Sequence, residues 1–256
     1  MSNRIAIVTG AARGIGLATT KLFLEHDWQV AMVDRDEAEL QLASANLAST
    51  LPIVCDVSIP DRVQEMTSKV LATFGRIDAL INNAGVAVFE PLEKTDFDIW
   101  RTIMATNLDG VFLCSQAVIP ALKESQGSIV NIASISALRA STLRVAYGTS
   151  KAAVVHLTKQ LAIELGDYGV RVNCVSPGPV KTKLAEAVHS PEIIKAYYDG
   201  IPLNRSATEQ DIAETVVFLC SPKASYITGQ MIAVDGGFDA SGIGLPALRA
   251  LRARFT

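Results

Sequence analysis

Tyr147 and Lys151, four residues apart in the stretch AYGTSKAAV, pair a phenol with an ammonium. On a helix, residues i and i+4 share a face. A cation beside a phenol favours the phenolate, so this spacing predicts a Tyr147 pKa below the ordinary value of about 10. A phenol so tuned takes or gives a proton near neutral pH. The same pair also arises by chance on any solvated helix face, so it needs a reaction partner from elsewhere in the chain. TGAARGIG places Gly10, Gly14 and Gly16 directly after the apolar run RIAIVTG and at the head of a helical pattern. There, Gly10 permits a tight turn and the later glycines let backbone approach a pyrophosphate. The helix N-terminus adds free N–H groups and partial positive charge. Asp34 ends the next apolar run, 18 residues after Gly16. A carboxylate at that place accepts hydrogen bonds from adenosine ribose hydroxyls and repels a 2′-phosphate. NAD is therefore expected over NADP, although Arg13 and Arg35 are both close enough in sequence to pair with a 2′-phosphate.

These residues need a scaffold that brings the ends of several segments together. RIAIVTG, WQVAMVD, LPIVCDV, IDALINNAG, GSIVNIAS, VRVNCVSPG and GQMIAVDGG read as strands. Helical patterns separate them: GIGLATTKLFLEHD, RDEAELQLASANLA, DRVQEMTSKVLATFG closed by Gly75, a long region from about Asp96 to Lys123, the Tyr147 helix, and TEQDIAETVVFLCS. Strict alternation means crossover connections. The expected fold is α/β, a single doubly wound (Rossmann-type) domain with a seven-stranded parallel sheet and helices on both faces. The domain is expected over residues 1–237, with residues 238–256 as a C-terminal extension. Ligands of such sheets sit outside the carboxyl ends of the strands, near the switch in strand order.

Six segments in order, TGAARGIG, NNAG, Asn107 in MATNLDGVF, Ser134 in NIAS, YGTSK and SPGPVKT, resemble the short-chain dehydrogenase/reductase family in its compact single-domain branch. The likeness runs from residue 4 to about residue 237. It implies a catalytic tetrad of Asn107, Ser134, Tyr147 and Lys151. In that arrangement Ser134 orients the substrate oxygen and Tyr147 transfers the proton while hydride moves to or from the nicotinamide. Lys151 lowers the Tyr147 pKa and holds the nicotinamide ribose, and Asn107 fixes a water that carries the proton onward. The resemblance further implies a cofactor lined by Gly10, Arg13, Gly14, Ile15, Gly16 and Asp34. Asp56 and Val57 flank the adenine, and Asn83, Ala84 and Gly85 line the channel. Pro177, Gly178, Val180 and Thr182 meet the carboxamide end. It also implies a homotetramer, which agrees with a Tyr147 helix that is apolar on more than one face.

The expected activity is an NAD(P)-dependent alcohol dehydrogenase or carbonyl reductase acting on a small-molecule secondary alcohol or ketone, a polyol or sugar. The alternative is NADP-dependent reduction of a 3-oxoacyl thioester. A non-catalytic dinucleotide-binding sensor is the competing class, and the intact tetrad argues against it. Two segments are expected to form the substrate wall: ISALRASTLRV, in which either Arg139 or Arg144 meets an anionic or polyhydroxylated substrate or both are solvated surface charges, and a lid over KLAEAVHSPEIIKAYYDGIPLNR that contains His189. The 256 residues are 49% hydrophobic and 19% charged with net charge −3, and no basic stripe appears, so no nucleic-acid partner is expected. Cys55, Cys114, Cys174 and Cys220 form no CxxC or Cys/His cluster, so no metal site is expected and a reduced, cytoplasmic setting is. The chain shows no signal-peptide pattern and no uninterrupted apolar run of membrane-spanning length, so no membrane partner is expected. FDASGIGLPALRALRARFT ends the chain and reads either as an amphipathic basic helix reaching a neighbouring subunit or as a frayed terminus.

Overall fold

The computed structural model describes residues 4–181 and 191–252. Among them, one sheet holds β1 (Ile5–Thr9), β2 (Gln29–Asp34), β3 (Thr50–Val54), β4 (Ala79–Asn82), β5 (Ser128–Ile132), β6 (Arg171–Pro177) and β7 (Met231–Val234). Every neighbouring pair is parallel, in the order β3-β2-β1-β4-β5-β6-β7. The strand order reverses between β1 and β4, so a crevice opens at their carboxyl ends. The glycine loop leaves β1 on one side of that crevice and Asn83–Gly85 leave β4 on the other.

The helices are α1 (Gly14–Glu25), α2 (Glu37–Ser44), α3 (Pro60–Phe74), α4 (Phe97–Met104), α5 (Gly110–Ser125), α6 (Val145–Leu165), α7 (Pro191–Gly200), α8 (Glu209–Cys220) and α9 (Leu245–Arg252). Side chains alternate across a strand, and here both faces are covered. Ala6 and Val8 of β1 meet Leu22 and Phe23 of α1 and Val216 and Leu219 of α8. Ile5 and Ile7 join the opposite core with Val63 and Val70 of α3, Val118 and Leu122 of α5 and Leu165 of α6. That double coverage explains why β1, β4 and β5 read as unbroken apolar runs.

Three elements end sooner than their patterns suggest. β4 stops at Asn82, because the backbone N–H groups of Asn83 and Ala84 donate to the Thr9 hydroxyl, at 2.9 and 3.0 Å, instead of continuing the ladder. β3 stops at Val54, and Asp56 turns the chain by accepting from the Ser58 N–H at 2.9 Å. α2 starts at Glu37, where the Asp36 carboxylate caps the Glu39 N–H at 3.2 Å.

The long region after β4 is one continuous helix, Phe97–Ser125, whose length and composition would suffice to cross a membrane. Apolar-run length had not suggested this. Its inner face, Val111, Cys114, Val118 and Leu122, is buried within the fold, as expected of a core helix. Residues Ala105–Asp109 within it form a π-helical turn. The C-terminal extension forms the expected amphipathic basic helix, α9, which packs onto α7 of its own chain.

Candidate active site

The crevice between β1 and β4 is shaped by close backbone approach. Gly10 takes φ +63°, and a Cβ there would come within 2.8 Å of Asn83 Nδ2. A Cβ on Gly16 would lie 2.1 Å from the Gly10 carbonyl oxygen. Only glycine at both places lets α1 start directly against the β1 end. Gly14 takes φ +61°, and Ile15 packs against the core beneath the loop. Asn83 locks the two sides together by donating from Nδ2 to the carbonyls of Thr9 (2.9 Å) and Gly10 (3.1 Å). Gly85 and Ala84 continue that wall. No side chain caps the N-terminus of α1 and no acid lies in its first turn, so its leading N–H groups point at the crevice unanswered by protein side chains.

Asp34 closes the crevice at the end of β2. Its Oδ2 accepts from the Ala12 N–H and its Oδ1 from the Asp36 N–H, both at 3.1 Å. The carboxylate is thus fixed to the glycine loop with lone pairs remaining for hydroxyl donors. Arg13 turns outward to pair with Asp36, and Arg35 is exposed. Burial raises the proton affinity of Asp56, but two hydrogen bonds from Ser58 and the Arg35 charge outweigh it and hold the carboxyl below its ordinary value. Val57 packs against Gly110. At the far end, Pro177 closes β6, and Gly178 lies so close to Asp235 that a Cβ would meet its Cα at 2.7 Å. The Pro179 carbonyl and the Lys181 N–H bond Ala207, each at 2.9 Å, so alternation turns the Val180 N–H and C=O to the opposite side. Thr182 and His189 lie outside the described residues.

The tetrad residues meet beside this crevice. Lys151 is buried and its Nζ donates to the Ile132 carbonyl at 2.8 Å. A Cβ on Gly85 would lie 3.4 Å from Asn107 Oδ1 and 3.5 Å from Lys151 Nζ, which places both side chains against the channel wall. Asn107 sits in the π turn, a distortion that often marks functional positions. Its amide accepts from the Val86 N–H (2.8 Å) and donates to the Val86 carbonyl (2.9 Å) and to Ser150 Oγ (3.1 Å). Ser150 in turn donates to the Tyr147 carbonyl at 2.7 Å. The Asn107 side chain therefore ties the loop after β4 to the Tyr147 helix. The Ser134 hydroxyl faces the Tyr147 phenol and pulls its proton affinity down, and it accepts from the Ser136 N–H at 3.1 Å.

The electrostatics differ from the i, i+4 expectation. Burial pushes the Tyr147 phenol above its ordinary value, while the Ser134 hydrogen bond and the Arg144 charge pull it down and Tyr197 pushes it up. Lys151 is not the cation that acts on it. Its ammonium lies 5.9 Å from the Tyr147 ring centroid and is turned to the Ile132 carbonyl. Burial also brings Lys151 itself down to about 8. Spacing alone could not reveal this, because it says nothing of desolvation, which here exceeds the charge effect. Arg144 takes the expected place of Lys151: it stacks over Phe89 at 4.6 Å and donates to Ser136 Oγ at 3.5 Å.

A family model described as enoyl-(acyl carrier protein) reductase matches residues 10–239. The chain belongs to the short-chain dehydrogenase/reductase family. It is accordingly an oxidoreductase, and members of the family use a nicotinamide cofactor. It is similar to the 3-oxoacyl-(acyl-carrier-protein) reductase FabG of Chlamydia muridarum, at 36% identity covering 92% of this chain and 97% of that protein. It is similar to the meso-2,3-butanediol dehydrogenase of Serratia marcescens, at 36% identity with 93% and 96% covered. Among solved structures, the 3-ketoacyl-(acyl-carrier-protein) reductase from Brucella melitensis complexed with NADH superposes with a TM-score of 0.88. The identity is 33%, with 92% of this chain and 98% of that one covered.

Within this short-chain dehydrogenase/reductase frame, the two wall arginines part company. Arg144 stays beside the Tyr147 phenol, whereas Arg139 is tied to the C-terminal extension through the Phe238 carbonyl and Ser241 Oγ (3.3 Å). Sequence reasoning missed Thr9, Ser150 and Tyr197. Thr9 and Ser150 act through backbone contacts that carry no spacing signal. Tyr197 lies on α7 with its ring edge-on to Phe238, a placement that no local pattern announces. His26 and His156 are remote from the crevice, and His156 pairs with Gln160 on the exposed side of α6.

Proposed function

We propose that the chain is an NADH-dependent reductase of a 3-oxoacyl thioester. The observation that carries the reading is the half-buried Tyr147 phenol on α6, with Lys151 and Asn107 set against the channel wall at Gly85. The Tyr147 phenol, pushed above its ordinary value by desolvation, is protonated at neutral pH and can give that proton to a carbonyl oxygen. Ser134 orients that oxygen and Tyr147 supplies its proton. Lys151, fixed by Ile132, presents its remaining protons toward the channel, where a ribose would lie. Asn107 bridges Val86 and Ser150, holding both walls in register; a water carrying protons onward would be held by backbone carbonyls of the π turn, since its side-chain amide is engaged. A bound nicotinamide supplies the hydride. The glycine loop, the uncapped start of α1 and Asp34 fit its adenosine diphosphate half. The Val180 backbone and, in the same reading, Thr182 receive the carboxamide.

Similarity to two proteins named as 3-oxoacyl or 3-ketoacyl carrier-protein reductases supports the thioester, and one of them is complexed with NADH. Asp34 and the engagement of Arg13 by Asp36 support NADH over NADPH. A second reading, NAD-dependent oxidation of a secondary alcohol such as a polyol or sugar, is favoured by Asp34 and by the butanediol dehydrogenase relative. Initial rates decide. Acetoacetyl-coenzyme A with NADH is expected to exceed both the same thioester with NADPH and any polyol with NAD at alkaline pH. Turnover of polyols without turnover of the thioester would replace the first reading by the second.

The same reading includes a homotetramer in a reduced cytoplasm. A groove of about 520 Å³ between α5 and α6 is lined by Leu108, Phe112, Leu113 and Leu157, and Ile163 on α6 is 80% exposed. These are surfaces a second subunit would cover. All four cysteines are buried and unpaired. Sedimentation at working concentration tests the assembly.

A further inference from the structure

Residues 192–196 of α7 are exposed, and half-buried positions begin at Tyr197. The last turn of the helix therefore carries its attachment, and the C-terminal extension supplies much of what holds that turn. Arg249 of α9 donates to the carbonyl oxygens of Tyr198 and Ile201, with that of Pro202 at 3.4 Å. These carbonyls lie at and just past the C-terminal end of α7, where a cation complements the helix dipole; those of Tyr198 and Ile201 also accept from the Ile201 and Asn204 N–H groups. Gly236 and Gly237, at φ +66° and +88°, turn the chain out of β7 and deliver Phe238 to the same place. Its ring packs so tightly on Gly200 that a Cβ there would lie 2.7 Å away. It also meets the Tyr197 ring edge-on at 5.7 Å. Arg139, five residues beyond Ser134, stacks over Phe238 at 4.4 Å. The extension thus joins the Ser134 loop to α7.

We propose that the C-terminal extension is an intramolecular latch that seats α7 against the Ser134 loop at the edge of the substrate crevice, with Arg249 as its positioning residue. The inference rests on the reading that a carbonyl substrate enters beside Tyr147, whichever carbonyl it is. When α7 is seated in only a fraction of molecules, apparent substrate affinity falls by that fraction. Ser134, Tyr147 and Lys151 are not on α7, so chemistry in the seated fraction is unchanged. Arg249 is half-buried and outside the core, so its replacement leaves the domain folded.

The test uses the full chain, with steady-state kinetics and backbone hydrogen exchange. Arg249→Gln is expected to raise KM for the carbonyl substrate about tenfold, the scale of a lost charge-assisted hydrogen bond. It should leave kcat within about twofold and NADH affinity unchanged, and it should speed exchange of the α7 amides but not those of α1. Arg249→Lys should recover part of both effects. Unchanged KM together with unchanged α7 exchange in Arg249→Gln overturns the latch. So does a fall in kcat at constant KM. A wild-type chain that reduces no carbonyl would overturn the functional reading instead, and the exchange measurement would still judge the latch.

Discussion

Replacing Gly16 by alanine tests the cofactor crevice through a single methyl group. The added Cβ would lie 2.1 Å from the Gly10 carbonyl oxygen, 2.6 Å from Asn83 Nδ2 and 2.8 Å from the Gly10 carbonyl carbon. Non-bonded heavy atoms sit about 3.5 Å apart, so the overlap exceeds roughly an ångström. Two of the three atoms are backbone and cannot swing away. α1 must therefore back off from the end of β1, and Asn83 loses its hold on Thr9 and Gly10. Overpacking costs about 1–3 kcal/mol and a broken buried hydrogen bond about 1 kcal/mol more. For a chain of this size the sum corresponds to a Tm lower by roughly 4–15 °C. NADH affinity should fall more than about tenfold, because the displaced N–H groups are those that face the pyrophosphate. Gly14→Ala is the control. Its φ of +61° is strained for alanine by about 1–2 kcal/mol, but the nearest atom, Glu209 Oε1, is 3.8 Å away. Gly166→Ala, with nothing within 4 Å and an α-helical φ of −59°, should be neutral or slightly stabilising. Thermal melts and calorimetric NADH titrations read all three. A Gly16→Ala protein that melts within about 2 °C of wild type and binds NADH normally would refute the packing argument.

Two further predictions concern the charges around the phenol. Arg144→Gln removes the cation that lowers the Tyr147 pKa and leaves burial and Tyr197 to raise it. Lys151 is turned to Ile132, so the alkaline limb of the carbonyl-reduction profile should move to higher pH, and an unmoved limb would contradict the assignment. Lys151→Met tests burial of the ammonium. Wild-type Lys151 titrates at about 8 when folded against an ordinary 10.5. Between those values the unfolded chain holds a proton that the folded protein has released, so stability rises with pH. Denaturant titrations of the cofactor-free protein should show wild type gaining on the variant from pH 8 to 10.5, by on the order of 3 kcal/mol. Parallel pH dependence of the two would exclude a depressed Lys151.

Much of this molecule is visible in its sequence, for reasons that are local. β1 and β5 are buried on both faces, so their runs are unbroken. The glycine loop is legible because Gly10 and Gly16 answer to backbone approach that no other residue permits. Other features depend on partners distant in the chain. The early end of β4 is set by the Thr9 hydroxyl, more than seventy residues away. The π turn at Asn107 answers to Val86 and Ser150, which no helical period announces. The Tyr147–Lys151 spacing puts the Lys151 ammonium 5.9 Å from the Tyr147 ring, yet the phenol is pushed up, not down, because desolvation is a property of the packed molecule. The place of Arg249 against α7 was equally beyond any local pattern.

The account turns on Tyr147 as the proton donor to a carbonyl oxygen at the crevice. Tyr147→Phe keeps the ring and removes only the hydroxyl. It is expected to lower kcat for carbonyl reduction about 10²–10⁴-fold while NADH affinity stays at the wild-type value. Undiminished turnover in that variant would contradict the account at its base.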